Sequence, residues 1–214
     1  MAVIAPTITV TSDEAYKQKV VQLHEFAERV HIDITDDKFT PHPLVTEAQA
    51  WWPTEWQVDM HMMVKEPSKH LDAVIKIHPS LVIFHAEVEE DLAPVIKKLH
   101  NSGIKAGVAL LKPTYPATAS KYIETVDHVM IFSGDLGYQG GKASLLQLEK
   151  VHLVKAINGA VEIGWDGGAN VDNVFSMASA GVDVINVGGA IERASDPVAM
   201  YKLLVETANK HGVV

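Results

Sequence analysis

The 214-residue chain contains no cysteine, and that absence removes disulfides, thiolate metal sites and cysteine nucleophiles together. Any transition metal must then be held by imidazole and carboxylate. Positive charge is also scarce. The 18 Lys and Arg against 27 Asp and Glu leave a net charge of −9, which argues against a nucleic-acid surface but not against a small anion gripped by backbone amides. No apolar run approaches the ~20 residues of a membrane span. The opening "MAVIAPTITV" has neither a basic leader nor a cleavage motif, so it reads as folded structure, and the expected location is cytoplasmic. What is present is a globular composition, 47% hydrophobic and 21% charged, in a chain long enough to bury one large core.

Apolar, β-rich runs recur at even spacing: "VIAPTITV" (3–10), "RVHIDI" (29–34), "QVDMHMM" (57–63), "LVIF" (81–84), "KAGVALL" (105–111), "HVMIFS" (128–133), "AVEIGW" (160–165) and "DVINVG" (183–188). Helical patterns lie between them. In one, Pro67 suits the first turn and Leu71, Val74, Ile75 and Ile77 form an inward stripe; another starts at Ser144, which reads as its cap. Strands alternating with helices predict parallel pairing through right-handed crossovers. Eight such units predict a (β/α)8 TIM barrel, with residues 1–214 as a single domain. A doubly wound open sheet is the alternative, disfavoured by the count of eight.

In "VHIDITD" (30–36), alternation sends Val30, Ile32 and Ile34 to one face and His31, Asp33 and Thr35 to the other. One face is oil and the other a row of ligands. Barrel chemistry gathers where strands end. His31 and Asp33 at the end of the second strand, His61 at the end of the third and Asp166 just after the seventh all fall on that rim. Singly, each has a bland reading as a hydrogen-bonded histidine or a turn-forming aspartate. Together they form a set suited to one divalent ion, Zn²⁺, Fe²⁺, Co²⁺ or Mn²⁺. His24, His70, His100, His152 and His211 lie on helical stretches and need no functional account.

Glycine forms a second constellation. "GDLGYQGGKAS" follows the sixth strand, "DGGAN" the seventh and "NVGGAIER" the eighth, so Gly137, Gly140, Gly141, Gly167, Gly168, Gly188 and Gly189 occupy three successive loops. Bare Cα atoms let amides approach an oxyanion, and the last two loops are the usual phosphate corner of such barrels. The expected ligand is a small phosphorylated molecule. The loop bearing Tyr138 reads equally as a lid or as a plain flexible loop.

In this order, "IAPTI", "VHIDITDDKFTP", "DMHMMVKEPSKHL", "FHAE", "AGVAL", "WDGGAN" and "AGVDVINVGGAI" resemble the ribulose-phosphate 3-epimerase family over essentially the whole chain. The resemblance implies a phosphate-binding barrel whose four metal ligands fall on His31, Asp33, His61 and Asp166, with Thr7, His61 and Met63 facing the sugar phosphate. It also implies a homo-oligomer and epimerisation at C3 of D-ribulose 5-phosphate, to D-xylulose 5-phosphate, within pentose phosphate metabolism. Asp33 and Asp166, three steps apart around an eight-stranded ring, would then face each other, one removing a proton and the other returning one on the opposite face.

The chain departs from the family pattern at Val10, Thr35, Asp37, His42 and Phe132, and in the lid segment "DLGYQGG" with Gln139 inside it. These positions shape the sugar pocket more than the chemistry. A six-carbon ketose phosphate such as allulose 6-phosphate is an alternative substrate, and a non-catalytic sugar-phosphate-binding barrel an alternative function. A related decarboxylase pattern, Asp-x-Lys-x-x-Asp, would need lysine where Thr35 stands. The tryptophans of "WWPTEW" (51–56) fit either an interface or a core edge.

Overall fold

Eight parallel strands pair in chain order and the last returns to the first, closing a barrel. The computed structural model describes residues 1–36, 38–138 and 140–210, so Asp37, Gln139 and His211 lie outside the described residues. The strands are β1 (Val3–Ile8), β2 (Arg29–Thr35), β3 (Gln57–Met63), β4 (Leu81–His85), β5 (Lys105–Leu110), β6 (His128–Phe132), β7 (Glu162–Asp166) and β8 (Val184–Val187). The helices are α1 (Asp13–His24), α2 (Pro67–Ile77), α3 (Ala93–Asn101), α4 (Ser120–Ile123), α5 (Glu149–Ile157), α6 (Val174–Ser179), α7 (Gly189–Glu192) and α8 (Pro197–Ala208). No described helix is long and apolar enough to cross a membrane.

The expected closed barrel is present, and period-two alternation separates its two cores. Val30, Ile32 and Ile34 join the apolar layer shared with Tyr16, Val20 and Leu23 of α1. A separate cluster of Leu81, Ile83, Ala109, Met130 and Phe132 comes from β4, β5 and β6. That cluster makes one wall of the barrel interior apolar, while β2, β3 and β7 supply charge. Ser12 caps α1 by accepting the Ala15 N–H, and Pro67 opens α2, where its missing N–H costs nothing. Of the stripe expected on α2, Leu71 and Val74 are buried and Ile75 and Ile77 pack half-buried against the core.

Three local expectations are corrected. The first strand ends at Ile8, not at residue 10, because Thr9 turns its hydroxyl to Asp33 and the Val10 carbonyl accepts from the Val45 N–H. Ser144 does not cap a helix with its side chain; its N–H donates to Ser133 Oγ, and a short 3₁₀ turn over Leu145–Leu148 precedes α5. The strict strand–helix alternation lapses between β2 and β3, where the described residues form turns and irregular structure. On that connection Trp56 is buried in the core, whereas Trp51 is half-exposed and stands edge-on to Tyr16, 6.1 Å between ring centroids. Three of the helical histidines pair with acids: His24 with Glu55, His70 with Glu47 and His100 with Asp127.

The barrel floor is closed by ions rather than by oil. Arg29 Nε donates to Asp59 Oδ2 at 2.7 Å, and its two terminal nitrogens donate to Glu162 at 2.9 and 2.7 Å. His128 Nδ1 lies 2.7 Å from the same Glu162, its ring seated over Gly164, where a Cβ would stand 2.3 Å from His128 Nε2. Burial raises the Glu162 carboxyl, but the hydrogen bonds from Arg29 and His128 outweigh that and hold it well below the usual range. Its contribution to stability is therefore complete above the ordinary glutamate value of about 4.3 and is lost only as pH falls through the depressed one. Removing a partner strands a buried charge. Asp59→Ala is expected to cost about 3–5 kcal/mol in denaturant unfolding, and a loss under ~1 kcal/mol would show that Glu162 alone satisfies Arg29.

Candidate active site

His31 and Asp33 stand two residues apart on β2, and the β2–β3 register pairs Asp33 with His61. All three side chains therefore project inward near the C-terminal rim, where Asp166 closes β7 as its last residue, not one beyond it. One donor atom from each of His31, Asp33, His61 and Asp166 lies within 4.8 Å of the other three. His61 Nδ1 is 2.9 Å from Asp33 Oδ1 and 3.9 Å from Asp166 Oδ2, and Thr9 Oγ1 donates to Asp33 Oδ2 at 2.5 Å. His31 Nε2 is 3.3 Å from Asp33 Oδ1 without hydrogen-bond alignment. Neither of its ring nitrogens has a hydrogen-bond partner among the described residues, although the side chain is fully buried.

A buried imidazole without a partner carries a desolvation cost that a metal lone-pair bond would remove. Ligands at about 2.0–2.2 Å from an ion stand about 3–4.4 Å apart. With its four donor atoms within 4.8 Å of one another the cluster comes close to that spacing, and its two nitrogens and two carboxylates suit a borderline divalent ion. The donor set fits.

The two carboxyls are held differently. Burial raises Asp33, but the neighbouring His31 and His61 outweigh it and hold the group below the usual carboxylate range. Burial also raises Asp166, and there the charge of Asp33 adds to the shift, so that it stays above its usual value. Burial likewise pushes His61 down to about 4.

Above the cluster opens a cleft of about 610 Å³, counting the space at its solvent-open mouth. Asp33, Asp166, Thr7 and Met63 line its inner end, and Gly137, Gly140, Gly141, Gly167, Gly168, Gly188 and Gly189 line the outer. His31 and His61 lie fully buried beneath it. The glycines differ in what they require. Gly167 has φ +108° and its Cβ would fall 2.0 Å from Gly134 N; Gly168 has φ +71° and its Cβ would fall 2.2 Å from Ala143 N. The loops after β6 and β7 thus touch backbone to backbone. Gly188, by contrast, has φ −100°, a backbone angle open to any residue, so no conformational need calls for glycine there.

Three polar residues of this region escaped sequence reasoning. Arg193 lines the outer end, its Nη1 2.6 Å from where a Cβ of Gly189 would be, and Asn186 lines the inner end with Oδ1 buried and unpartnered. The third, His85, contacts His61 from behind. "FHAE" carried His85 in plain view, but nothing in its spacing tied it to His61. Across the mouth, Tyr138 hydrogen-bonds His42 with the rings edge to face, 4.3 Å between centroids.

A sequence profile of the ribulose-phosphate 3-epimerase family matches residues 3–192. The chain belongs to the ribulose-phosphate 3-epimerase family. It is 28% identical over 201 residues to the ribulose-phosphate 3-epimerase of Helicobacter pylori strain J99, covering 90% of this chain and 92% of that one. It is 30% identical over 214 residues to that of Mycobacterium leprae, covering 94% and 92%. Among solved structures, a 3-hexulose-6-phosphate synthase superposes with a TM-score of 0.68 at 19% identity, covering 96% of this chain and 99% of that one. Mycobacterium tuberculosis tryptophan synthase reaches 0.71 at 11% identity, covering 98% and 93%. At such identities the structures establish the barrel fold alone. Membership of the epimerase family meets the expectation of an isomerase acting on carbohydrates.

The contact between the loops of β6 and β7 makes a stability prediction. Gly103, at φ +74° with nothing within 4 Å of its would-be Cβ, serves as the control. Gly103→Ala should lose about 1–2 kcal/mol, the cost of the left-handed backbone, whereas Gly167→Ala must also displace Gly134 and should lose clearly more in thermal unfolding. Equal losses would mean that the two loops part without cost.

Proposed function

We propose that this protein interconverts D-ribulose 5-phosphate and D-xylulose 5-phosphate by two-base proton transfer at C3, with one divalent metal ion held by His31, Asp33, His61 and Asp166. The observation that carries the reading is the pair of carboxyls from β2 and β7, which meet in one buried donor cluster at the inner end of the cleft. Family membership supports the reaction class.

Asp33, kept ionised by its imidazole and hydroxyl neighbours, accepts the C3 proton on one face of the substrate. Asp166, which reaches the cluster from β7 on the other side of the mouth, delivers a proton to the opposite face. In the reverse direction the roles exchange. A divalent ion supplies positive charge beside the carbonyl, which lowers the acidity barrier that an unaided carboxylate cannot meet. Thr9 holds Asp33 in its rotamer, and the apolar wall of Ile83, Met130 and Phe132 limits water at the inner end.

The phosphate is gripped at the outer end by amides of the glycine loops and by Arg193, the one Lys or Arg lining the cleft among the described residues. Thr35 speaks against the decarboxylase pattern: its hydroxyl accepts from the Leu44 N–H and lies 3.3 Å from the His42 carbonyl, so it serves the loop after β2. A cytoplasmic location and self-association belong to the same reading.

Four measurements test this. In D₂O, product formed from a ketose phosphate should carry one solvent deuteron at C3, and Asp166→Asn should lower turnover by about 10²–10⁴; product retaining the substrate hydrogen would end the two-base reading. Running five- and six-carbon ketose phosphates side by side identifies the preferred chain length. Arg193→Gln should raise KM about 10- to 100-fold with kcat little changed, on the worth of a charge-assisted hydrogen bond. An unchanged KM would leave the phosphate to the backbone amides alone.

A further inference from the structure

His85 ends β4, and its fully buried ring lies behind His61 as seen from the cleft. Its Nε2 is 2.8 Å from Nε2 of His61, and its Nδ1 is 3.3 Å from Glu87 Oε2. Two imidazole nitrogens at that separation share one proton, because two N–H groups would clash and two lone pairs would repel. The other nitrogen of His61, Nδ1, faces the donor cluster. A histidine binds metal through a lone pair. With Nδ1 as ligand, His61 therefore carries its proton on Nε2 and donates it to His85 Nε2. The His85 proton is then on Nδ1, directed at Glu87. Glu87 is fixed in turn, since its Oε1 accepts the Leu111 N–H at 2.9 Å.

We propose that His85 and Glu87 are positioning residues, which set the tautomer and ring plane of His61 so that Nδ1 is presented to the metal. The inference rests on the metal site proposed above and extends it to two residues outside the ligand set. Packing alone does not account for the arrangement. The His85 ring does lie against Phe39 and Phe132, with centroids 5.0 and 5.6 Å away, but a ring there for volume needs neither the contact with His61 Nε2 nor a carboxylate at its other nitrogen.

Metal affinity separates the two roles. Zn²⁺ affinity of the purified full chain, stripped and then titrated against a competing chelator, is compared among variants. His85→Phe keeps an aromatic ring but offers His61 no acceptor, and should weaken Zn²⁺ binding about 10- to 100-fold. His85→Gln restores an acceptor and should recover most of that loss. His85→Phe binding as tightly as wild type overturns the proposal while leaving the metal site standing; wild type binding no divalent ion overturns both. Should His85→Phe fail to fold, ¹⁵N NMR of the Zn²⁺-loaded wild type decides: protonated Nε2 on His61 and Nδ1 on His85 are expected, and protonated Nε2 on His85 refutes the relay.

Discussion

Burying a carboxylate at the mouth of a closed barrel is tolerable only when its charge is answered within hydrogen-bond distance. Asp33 meets that condition, with His61 at 2.9 Å, the Thr9 hydroxyl at 2.5 Å and His31 at 3.3 Å. Much of the rim follows. Thr9 leaves the strand to reach Asp33, so β1 is shorter than its apolar pattern, and the Asp33–His61 register holds β2 and β3 together to their ends. Asp166, without an equal set of partners, keeps its proton more readily. Two identical side chains thus acquire different chemistry from their neighbours alone.

The barrel interior is polarised from side to side as well as from end to end. On β2, β3 and β7 every inward position from floor to mouth except Met63 and Gly164 carries a donor, an acceptor or a charge, beginning with Arg29, Asp59 and Glu162 and ending with Thr35 and Asp166. Facing them, β4, β5 and β6 contribute Leu81, Ile83, Ala109, Met130 and Phe132. An apolar wall against a polar one lowers the local dielectric, strengthens each hydrogen bond in the cluster and raises the cost of leaving any member unpaired. The missing partner of His31 therefore counts for more in this barrel than it would on a surface.

How far this was legible in the sequence depends on the range of the interaction. Alternation along β2 told which face carried His31, Asp33 and Thr35, because side-chain direction is a property of neighbouring residues. Eight apolar runs told the strand count, and the cluster residues were found because each was read toward the C-terminal side of a strand, although only Asp166 is a strand's last residue. Arg29 and Glu162 are 133 positions apart, and no periodicity links them. His85 meets His61 across 24 positions through ring nitrogens whose roles emerge only when both are placed. Ser144 was misjudged for a local reason: a serine before an apolar run has cap chemistry, but here its amide is used by Ser133. Arg193 sits one turn beyond the glycines it covers, as the C-cap of a helix too short to leave a pattern.

The same view bears on why a common fold supports different reactions. The 3-hexulose-6-phosphate synthase structures share this barrel at 19% and 14% identity, and a glycine-lined outer end can serve any phosphorylated substrate because backbone amides do not read the carbon skeleton. The positions that differ in side chain rather than backbone are the inward ones nearer the donor cluster. In this chain those include Thr9, Phe132 and Asn186, together with the His42–Tyr138 contact across the mouth. Asn186 is the most exacting of them. Its Nδ2 finds only the Met130 sulfur at 3.4 Å, and its Oδ1 finds nothing among the described residues. An amide buried so incompletely satisfied carries a desolvation cost that any polar group entering the cleft would relieve and an apolar one would not.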